Sequence, residues 1–294
     1  MADMSVLRWM REHPAQVGRW CGFDRLTDEL HGKWMRDMIT GADDMTLLAH
    51  RGSYKTTCLS VALSILTATE PARNLIFMRK SEDAVKEIIG QVRKIILSEP
   101  YRYLTAKAFG EEYGPVMLRS ASSTAITTDV YATAKGAAQL LGIGTSGAIT
   151  GKHADVVVTD DIVTIDDRVS KAERDRIVRV YQELQNIRNP GGRIINTGTP
   201  WHPEDAIAKC MPNVQRSTAT RPGFLPLTSW PNSGAACRPR SLRQTTSCST
   251  SPPRTPCSRR LRARRTTRPT YGTASRMWTP PTRARTTPPS PAGA

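Results

Sequence analysis

Lys55 and Thr56 are the adjacent pair best suited to chemistry in this chain. A lysine ammonium group in such a position can reach the β- and γ-phosphates of a nucleoside triphosphate, and the next hydroxyl can bind Mg²⁺. Gly52 lies three residues earlier, where backbone N–H groups at a helix N-terminus can approach an anion. We predict a phosphate-binding loop whose contacts are Gly52, Ser53, Tyr54, Lys55, Thr56 and Thr57.

The loop departs from the common phosphate-loop pattern GxxxxGK[ST] at two positions. Ala49 and Tyr54 stand where that pattern has glycine, so only Lys55 and Thr56 fit it outright. Tyr54 is the more serious departure, because glycine normally permits a close approach of the backbone to the phosphate. Taken alone, the segment also fits an ordinary strand-to-helix turn with a solvated lysine.

Two adjacent carboxylates, Asp160 and Asp161, follow the segment 154–159, which contains three consecutive valines. A buried β-branched strand that ends in acids is typical of Walker B, whose carboxyl end lies beside the phosphate loop. We predict that Asp160 binds Mg²⁺ together with Thr56, and that Asp161 polarises the attacking water as the general base. The alternative is a pair of solvated acids that cap the next segment.

A third polar strand end consists of Asn196, Thr197, Gly198 and Thr199. Small polar groups beside the Asp160 strand could sense the γ-phosphate and transmit its loss to another element. Such chemistry also needs an arginine at the γ-phosphate, and we predict Arg51 in this role, or an arginine from a neighbouring subunit.

Apolar segments with strand and helix periodicity surround these groups. Segments 45–49 and 74–78 are predicted to be buried strands, and 58–63 begins a helix directly after the loop. A second helix is predicted over 84–97, where apolar residues recur at helical spacing. The alternation predicts a mainly parallel sheet flanked by helices. Together with the loop and the acidic strand end, we predict an α/β fold of the P-loop NTPase class, ASCE-type.

The patterns between and after these elements are weaker. Residues 100–135 are interpreted as shorter strands and turns, and the glycine-rich passage 142–152 as a mobile loop. A long amphipathic helix is predicted after Asp166 and Asp167, and Asn189 to Gly192 should end it.

That helix has a predicted apolar face and a predicted outer face. The apolar face comprises Val169, Ile177, Val180, Tyr181, Leu184 and Ile187. Arg174, Arg176 and Arg179 lie near the outer face, as solvated charges or, alternatively, as contacts to DNA or a neighbouring subunit.

Residues 1–44 are predicted to be a mixed helical segment ahead of the loop. Leu26, Thr27 and the segment 31–35 could pack over an adenine base through stacking and hydrogen bonds. Trp34 is predicted to be a core residue in preference to a base platform, because buried aromatic side chains dominate core packing.

The formal net charge of +16 is concentrated after residue 216. From Ser217 onward there are 14 arginines and no lysine, aspartate or glutamate, so the first 216 residues carry 28 basic against 26 acidic side chains. A tail of this composition is predicted to be disordered, and any affinity of the tail for DNA to be nonspecific and sensitive to salt.

The cysteines and the N-terminus favour an intracellular protein. None of the six cysteines has zinc-binding spacing, so reduced thiols are expected. The first residues lack a signal-peptide pattern, and no segment approaches the roughly 18 apolar residues of a membrane helix. We therefore expect a soluble protein without a membrane partner.

Three motifs together resemble the large terminase subunit of tailed bacteriophages. They lie within 50–57, 150–161 and 196–202, in the order and spacing of that family, and the resemblance covers about residues 20–212. Thr197 to Thr199 resemble the family's coupling motif, and Arg51 its loop arginine. Asp161 stands where glutamate is often found in that family.

The resemblance implies an ATP-driven motor that packs double-stranded DNA into a procapsid. It also implies a homo-oligomeric ring at a portal, a small terminase subunit as partner, and the host cell cytoplasm as the location. The implied enzyme is a Mg²⁺-dependent ATP hydrolase with ATP and Mg²⁺ as ligands. Two alternatives stay open: another nucleic-acid motor such as a helicase, and a non-enzymatic DNA-binding protein that uses the basic tail.

Members of that family have a second, nuclease domain with acidic metal ligands, but residues 217–294 contain no acid. One interpretation is a disordered DNA-binding tail. The more specific interpretation is a frameshift in the coding sequence. Back-translation read from the third base of each codon, with wobble bases chosen freely, restores acidic residues and family-like patterning. The predicted divisions are 1–44, an N-terminal helical segment; 45–216, the P-loop ATPase core; and 217–294, the tail, without nuclease residues.

Overall fold

The computed structural model describes residues 3–133 and 136–217, so the predicted disorder and frameshift of the tail lie outside the described residues. Within them, the strand, loop and helix predicted around Lys55 are present. Strand β1 is Met45–Leu48, and helix α4 begins at Lys55 and runs to Thr69.

Helices flank this unit on both sides along the chain. They are α1 Met4–Glu12, α2 Pro14–Trp20, α3 Lys33–Thr40, α5 Glu82–Leu97, α6 Glu99–Tyr113, α7 Ile165–Val169, α8 Lys171–Asn186 and α9 Ala206–Cys210, with a π-helical turn at Asp28–Gly32. Among the described residues, no helix combines the length and apolar character needed to cross a membrane.

The strands form one sheet that is mainly parallel. Besides β1 they are β2 Leu75–Arg79, β3 Leu118–Ala121, β4 Ala125–Thr128, β5 Leu140–Gly144, β6 Ala154–Asp160, β7 Arg188–Gly198 and β8 Val214–Arg216. Their order is β3-β4-β5-β2-β6-β7-β1-β8, and only the pairs β3–β4 and β4–β5 are antiparallel. Because β7 separates β1 from β6, the order is that of an ASCE-type P-loop fold, and the predicted fold class is confirmed.

Helices cover both faces of the sheet. Val156 and Val158 of β6 face a core that includes α4 and α5, whereas Val157 faces the core on the side of α8. Alternate residues of a strand point to opposite faces, so the three consecutive valines of β6 have to be buried on both sides of the sheet.

The N-terminal helices belong to the first of these two cores. Met10, Met35 and Met38 are almost fully buried and pack in the same cluster as Leu59 and Leu63 of α4. This packing holds the segment before residue 45 against the helix that begins in the phosphate loop.

Helix α6 corrects the prediction of shorter strands and turns across residues 100–135. Tyr101, Leu104 and Ala108 are buried at helical spacing, and Pro100 lies in the first turn, where proline is tolerated. The sequence predicts short strands at 116–118 and 125–127. β4 includes all of the second segment, whereas β3 begins only at Leu118, the last residue of the first.

The glycine-rich passage also differs from its prediction as a loop, because it begins inside strand β5. Gly142 and Gly144 lie beneath helix α5, and a Cβ atom at Gly144 would lie 2.9 Å from the backbone nitrogen of Glu82. The glycines therefore permit close packing of a helix on a strand, and only the residues after Gly144 leave the sheet.

The long helix predicted after Asp166 and Asp167 is divided at Ser170. The Ser170 hydroxyl accepts a hydrogen bond from the Glu173 backbone N–H and caps α8, so α7 is a separate turn. Val169, predicted on the apolar face, is 81% exposed because it ends α7. Residues 189–192, predicted as the stop, lie within β7.

Candidate functional site

The loop between β1 and α4 has the backbone shape of an anion-binding turn. Gly52 has a φ of +78°, and Tyr54, the N-cap of α4, has a φ of +60°. Lys55 and Thr56 are the first residues of α4, so the unpaired N–H groups of the first helical turn open toward the loop. This is the geometry predicted for a phosphate site.

A cavity of about 900 Å³ lies over the loop. Arg25, Leu30, His31, His50, Arg51, Gly52, Ser53, Tyr54, Lys55, Thr56, Thr57 and Asp161 line it. The predicted contacts Gly52, Ser53, Tyr54, Lys55, Thr56 and Thr57 therefore share one cavity with the predicted base Asp161, and the N-terminal segment supplies the remaining side of it.

Asp161 forms an ion pair with the loop lysine. Its carboxylate lies 3.4 Å from the Lys55 ammonium group, and the lysine side chain is 7% exposed whereas the aspartate side chain is 35% exposed. The Asp161 backbone has a φ of +45°, and its N–H donates to the Thr197 carbonyl at 3.0 Å. A strained turn thus directs this carboxylate into the cavity over the loop.

Asp160 is fully buried and carries three side-chain partners. Its carboxylate accepts hydrogen bonds from the hydroxyls of Thr56 at 3.0 Å and Thr197 at 2.5 Å. The Nε of Arg79 lies 3.1 Å from the same carboxylate. Burial, followed by the neighbouring Asp161 charge, raises the pKa of Asp160, whereas Arg79 opposes this shift.

The Thr56 and Asp160 pair fits a hard divalent cation. A hydroxyl and a carboxylate oxygen 3.0 Å apart are the oxygen ligands that Mg²⁺ prefers. Thr56 lines the cavity and Asp160 lies buried directly behind it, so a bound phosphate and water could supply further ligands from the cavity side.

Arg79 is a site residue that none of the sequence motifs indicates. It is the last residue of β2 and pairs in register with Asp160, the last residue of β6. The signal that could have identified it is an arginine at the carboxyl end of a buried strand, opposite an acid on the neighbouring strand.

The four residues predicted for coupling occupy three different kinds of position. Thr197 contacts Asp160, and a Cβ atom at Gly198 would lie 3.9 Å from the Asp161 carboxylate. Asn196 instead lies in the core, where its amide donates to the Thr46 and Tyr181 hydroxyls and accepts from Thr159. Thr199 follows the strand.

Exchange of Asn196 for alanine is expected to lower the free energy of unfolding by about 2–3 kcal/mol, because three buried hydroxyls lose a partner. The expected decrease in Tm is roughly 5–10 °C, measured by circular dichroism. Asn186→Ala, at the exposed end of α8, is the matched control, with a change within about 0.5 kcal/mol. Equal effects of the two exchanges would contradict the structural role of Asn196.

Arg51 lies beside the segment that follows β7. Its guanidinium carbon is 5.0 Å from the centroid of the Trp201 ring, a cation–π distance. The Trp201 and His202 N–H groups both donate to the buried Asp205 carboxylate, at 2.9 and 3.1 Å. The predicted catalytic arginine is thus in contact with an anchored turn, and nothing in the sequence pattern indicates this contact.

His31 connects the N-terminal segment to the loop. Its Nδ1 accepts from the Thr27 backbone N–H at 3.0 Å, so Nε2 carries the proton and donates to the Ser53 carbonyl at 3.2 Å. Burial lowers the pKa of His31, which favours this neutral form. Trp34 packs edge-on against His31 and is buried, as predicted for a core residue.

The arginines predicted on the outer face of α8 differ among themselves. Arg174 is buried and donates to the Asp167 carbonyl at 2.8 Å, which corrects its placement as a solvated charge. Arg176 pairs with Glu173, and this contact is the main reason that the pKa of Glu173 falls to about 2. Arg179 is exposed as predicted.

Comparison with known proteins gives structural matches only. No protein-family model matches the chain, and no curated protein matches it. The HK97 bacteriophage large terminase is 13% identical, with a TM-score of 0.45, over 71% of this chain and 40% of that one.

Two further solved structures are similar at the same level. A Saccharomyces cerevisiae Dbp5 variant bound to Nup159, a Gle1 variant, IP6 and ADP is 12% identical, with a TM-score of 0.44, over 69% of this chain and 51% of that one. The large terminase ATPase domain of Thermus phage P74-26 is 15% identical, with a TM-score of 0.35, over 60% of this chain and 75% of that one. The chain thus spans about half or less of the first two proteins, and at this similarity none of the three establishes what it does.

Proposed function

We propose that this chain is an ATP-hydrolysing motor that moves double-stranded DNA into a procapsid, in the manner of a phage large terminase subunit. The observation that carries the proposal is the meeting of two carboxylates with the loop. Asp161 lies 3.4 Å from Lys55, and Asp160 accepts from Thr56 at 3.0 Å, although more than 100 residues separate the two motifs.

The loop binds the polyphosphate of ATP through backbone N–H groups between Gly52 and Thr57 and through the Lys55 ammonium group. Lys55 then exchanges its contact with Asp161 for the β- and γ-phosphates. This exchange frees the Asp161 carboxylate to accept a proton from the attacking water, so the base is held by Lys55 until substrate arrives.

Mg²⁺ in this site would be held by Thr56 and Asp160, and when bound it neutralises phosphate charge. Thr197 and Arg79 hold the buried Asp160 carboxylate in position for this role.

Arg51 supplies positive charge for the γ-phosphate, or a neighbouring subunit supplies an arginine in its place. The position of Arg51 against Trp201 supports a coupling role for Thr197 to Thr199, because a movement of Arg51 toward the phosphates breaks its contact with the turn after β7. The segment before residue 45 lies on the other side of the cavity, where it would face the adenine base of ATP.

Assembly is proposed from the resemblance of the three motifs to terminases. The expected partners are double-stranded DNA, further copies in a ring at a portal, and a small terminase subunit, in the cytoplasm of the host cell.

The test is ATP hydrolysis by the full chain with Mg²⁺, measured with and without double-stranded DNA. A DNA translocase is expected to displace a triplex-forming third strand in an ATP-dependent manner without separating the duplex. Failure of the folded protein to bind or hydrolyse ATP would contradict the proposal. Strand separation would favour the helicase alternative, and salt-sensitive DNA binding without nucleotide binding would favour the DNA-binding alternative.

We also propose that residues after about 216 derive from a shifted reading frame, on the basis of their 14 arginines without one acid. Sequencing of the coding DNA tests this directly. The neighbouring frame is expected to encode aspartate and glutamate at ordinary frequency, and a second frame without acids or with early stop codons would refute the shift.

A further inference from the structure

Tyr54 adopts a backbone conformation that favours glycine. Its φ of +60° and ψ of 17° lie in the left-handed region, and the common loop pattern has glycine at this position. A residue with a Cβ atom in this region costs about 1–2 kcal/mol. Strain of this kind at a loop that faces a cavity is a reason to ask what the side chain does there.

The Tyr54 ring extends toward the N-terminal side of the cavity. Its hydroxyl lies 3.4 Å from an Arg25 guanidinium nitrogen, and its ring centre lies 6.1 Å from that of His31, with the rings at 85°. An edge-on contact of this kind orients the ring, and Tyr54 is still 39% exposed. The ring therefore lines the cavity without being covered.

The cavity has one end suited to phosphate and another suited to a flat ring. Lys55, Thr56 and Asp161 mark the phosphate end, whereas Arg25 and Leu30 lie on the side of the N-terminal segment. A nucleotide whose phosphates lie over the start of α4 has to direct its base away from Asp161. Aromatic and guanidinium groups are the side chains on which bases stack.

We propose that the Tyr54 ring, flanked by Arg25, is the platform on which the nucleotide base stacks. The inference rests on the proposed nucleotide site and gives this residue a role that glycine cannot fill. His31 is a positioning residue for the platform, because it holds the Ser53 carbonyl at 3.2 Å and meets the Tyr54 ring edge-on.

The experiment compares two ligands and two variants of the full chain by titration calorimetry. ATP has a base, and inorganic tripolyphosphate has the phosphates alone. Tyr54→Leu removes the ring but keeps an apolar side chain with a Cβ atom, so the backbone strain at this position is retained. Tyr54→Phe keeps the ring and removes only the hydroxyl. Circular dichroism establishes that each variant is folded.

For Tyr54→Leu we expect a loss of about 10-fold in affinity for ATP and less than about 2-fold for tripolyphosphate. For Tyr54→Phe we expect both affinities to stay within about 3-fold of the unmodified chain. Equal losses for the two ligands, or an unchanged affinity of Tyr54→Leu for ATP, would overturn the base platform while leaving the phosphate site intact. An unmodified chain that binds neither ligand would overturn the proposed function as well.

Discussion

Exchange of Asp161 for asparagine is expected to lower kcat for ATP hydrolysis by about 10²- to 10⁴-fold while ATP still binds. The amide has the shape of the carboxylate but cannot accept a proton from water at neutral pH. The Asp161 backbone N–H donates to Thr197, and this contact does not depend on the side chain, so the strained turn should persist. Phosphate release measures kcat, and a fluorescent ATP analogue measures binding.

The ion pair between Lys55 and Asp161 predicts how the affinity for ATP should change when either residue is exchanged. In the free protein the Asp161 carboxylate competes with phosphate for the lysine at 3.4 Å. Asp161→Asn removes that competitor, so ATP affinity is expected to stay the same or to rise a few-fold. Lys55→Ala is expected to lose both hydrolysis and most of the affinity, because the phosphates lose their main cation.

Asp166→Asn is the matched control for the aspartate exchange, since Asp166 is exposed in the first turn of α7. It should leave kcat within about 2-fold of the unmodified chain. An Asp161→Asn variant with more than about a tenth of normal kcat would exclude Asp161 as the general base. The base would then have to be another acid of this chain or a group from a neighbouring subunit.

The positions of Lys55, Asp160 and Asp161 could be predicted because they lie at, or shortly after, the carboxyl ends of two strands that are rich in apolar residues, β1 and β6. Parallel strands bring their carboxyl ends to one edge of a sheet, so strand ends predict which side chains meet. The same reasoning anticipates the fold class from the segments around the loop.

Arg79 and Asp205 could not be predicted in this way. The contact of Arg79 with Asp160 depends on β2 and β6 being neighbours in register, which the order of strands along the chain does not specify. Asp205 accepts hydrogen bonds from two N–H groups of its own turn and so holds Trp201 in place. Asp205 affects the site only because Trp201 contacts Arg51, about 150 residues away in sequence. Contacts of this kind depend on the assembled fold.

Helix α6 and strand β5 differ from their predictions for local reasons. Tyr101, Leu104 and Ala108 do have helical spacing, but aromatic and proline residues nearby favour a strand-and-turn interpretation. In β5, Gly142 and Gly144 favour a loop by composition, whereas they serve the close packing of α5. Tertiary packing overrides local preference in both segments.

Exchange of Arg79 for methionine is expected to lower the free energy of unfolding by about 3 kcal/mol in the absence of nucleotide. The side chain of Asp160 is 0% exposed and that of Arg79 is 15% exposed, so the exchange leaves a buried carboxylate without its cation. The expected decrease in Tm is roughly 6–12 °C, measured by circular dichroism. Arg93→Met, on the exposed face of α5, is the control, with a change within about 0.5 kcal/mol.

The stability lost through Arg79→Met should also depend on pH in a defined direction. Burial raises the pKa of Asp160 above its usual value of 3.8, and loss of Arg79 raises this pKa further. Arg79 stabilises the ionised carboxylate, so its removal costs most near neutral pH and least at acidic pH, where Asp160 binds a proton in the folded protein. The difference in unfolding free energy between variant and unmodified chain is therefore expected to shrink as the pH falls from neutral through the raised pKa of Asp160. A difference that is constant over this range would show that Arg79 acts through packing and not through the charge of Asp160.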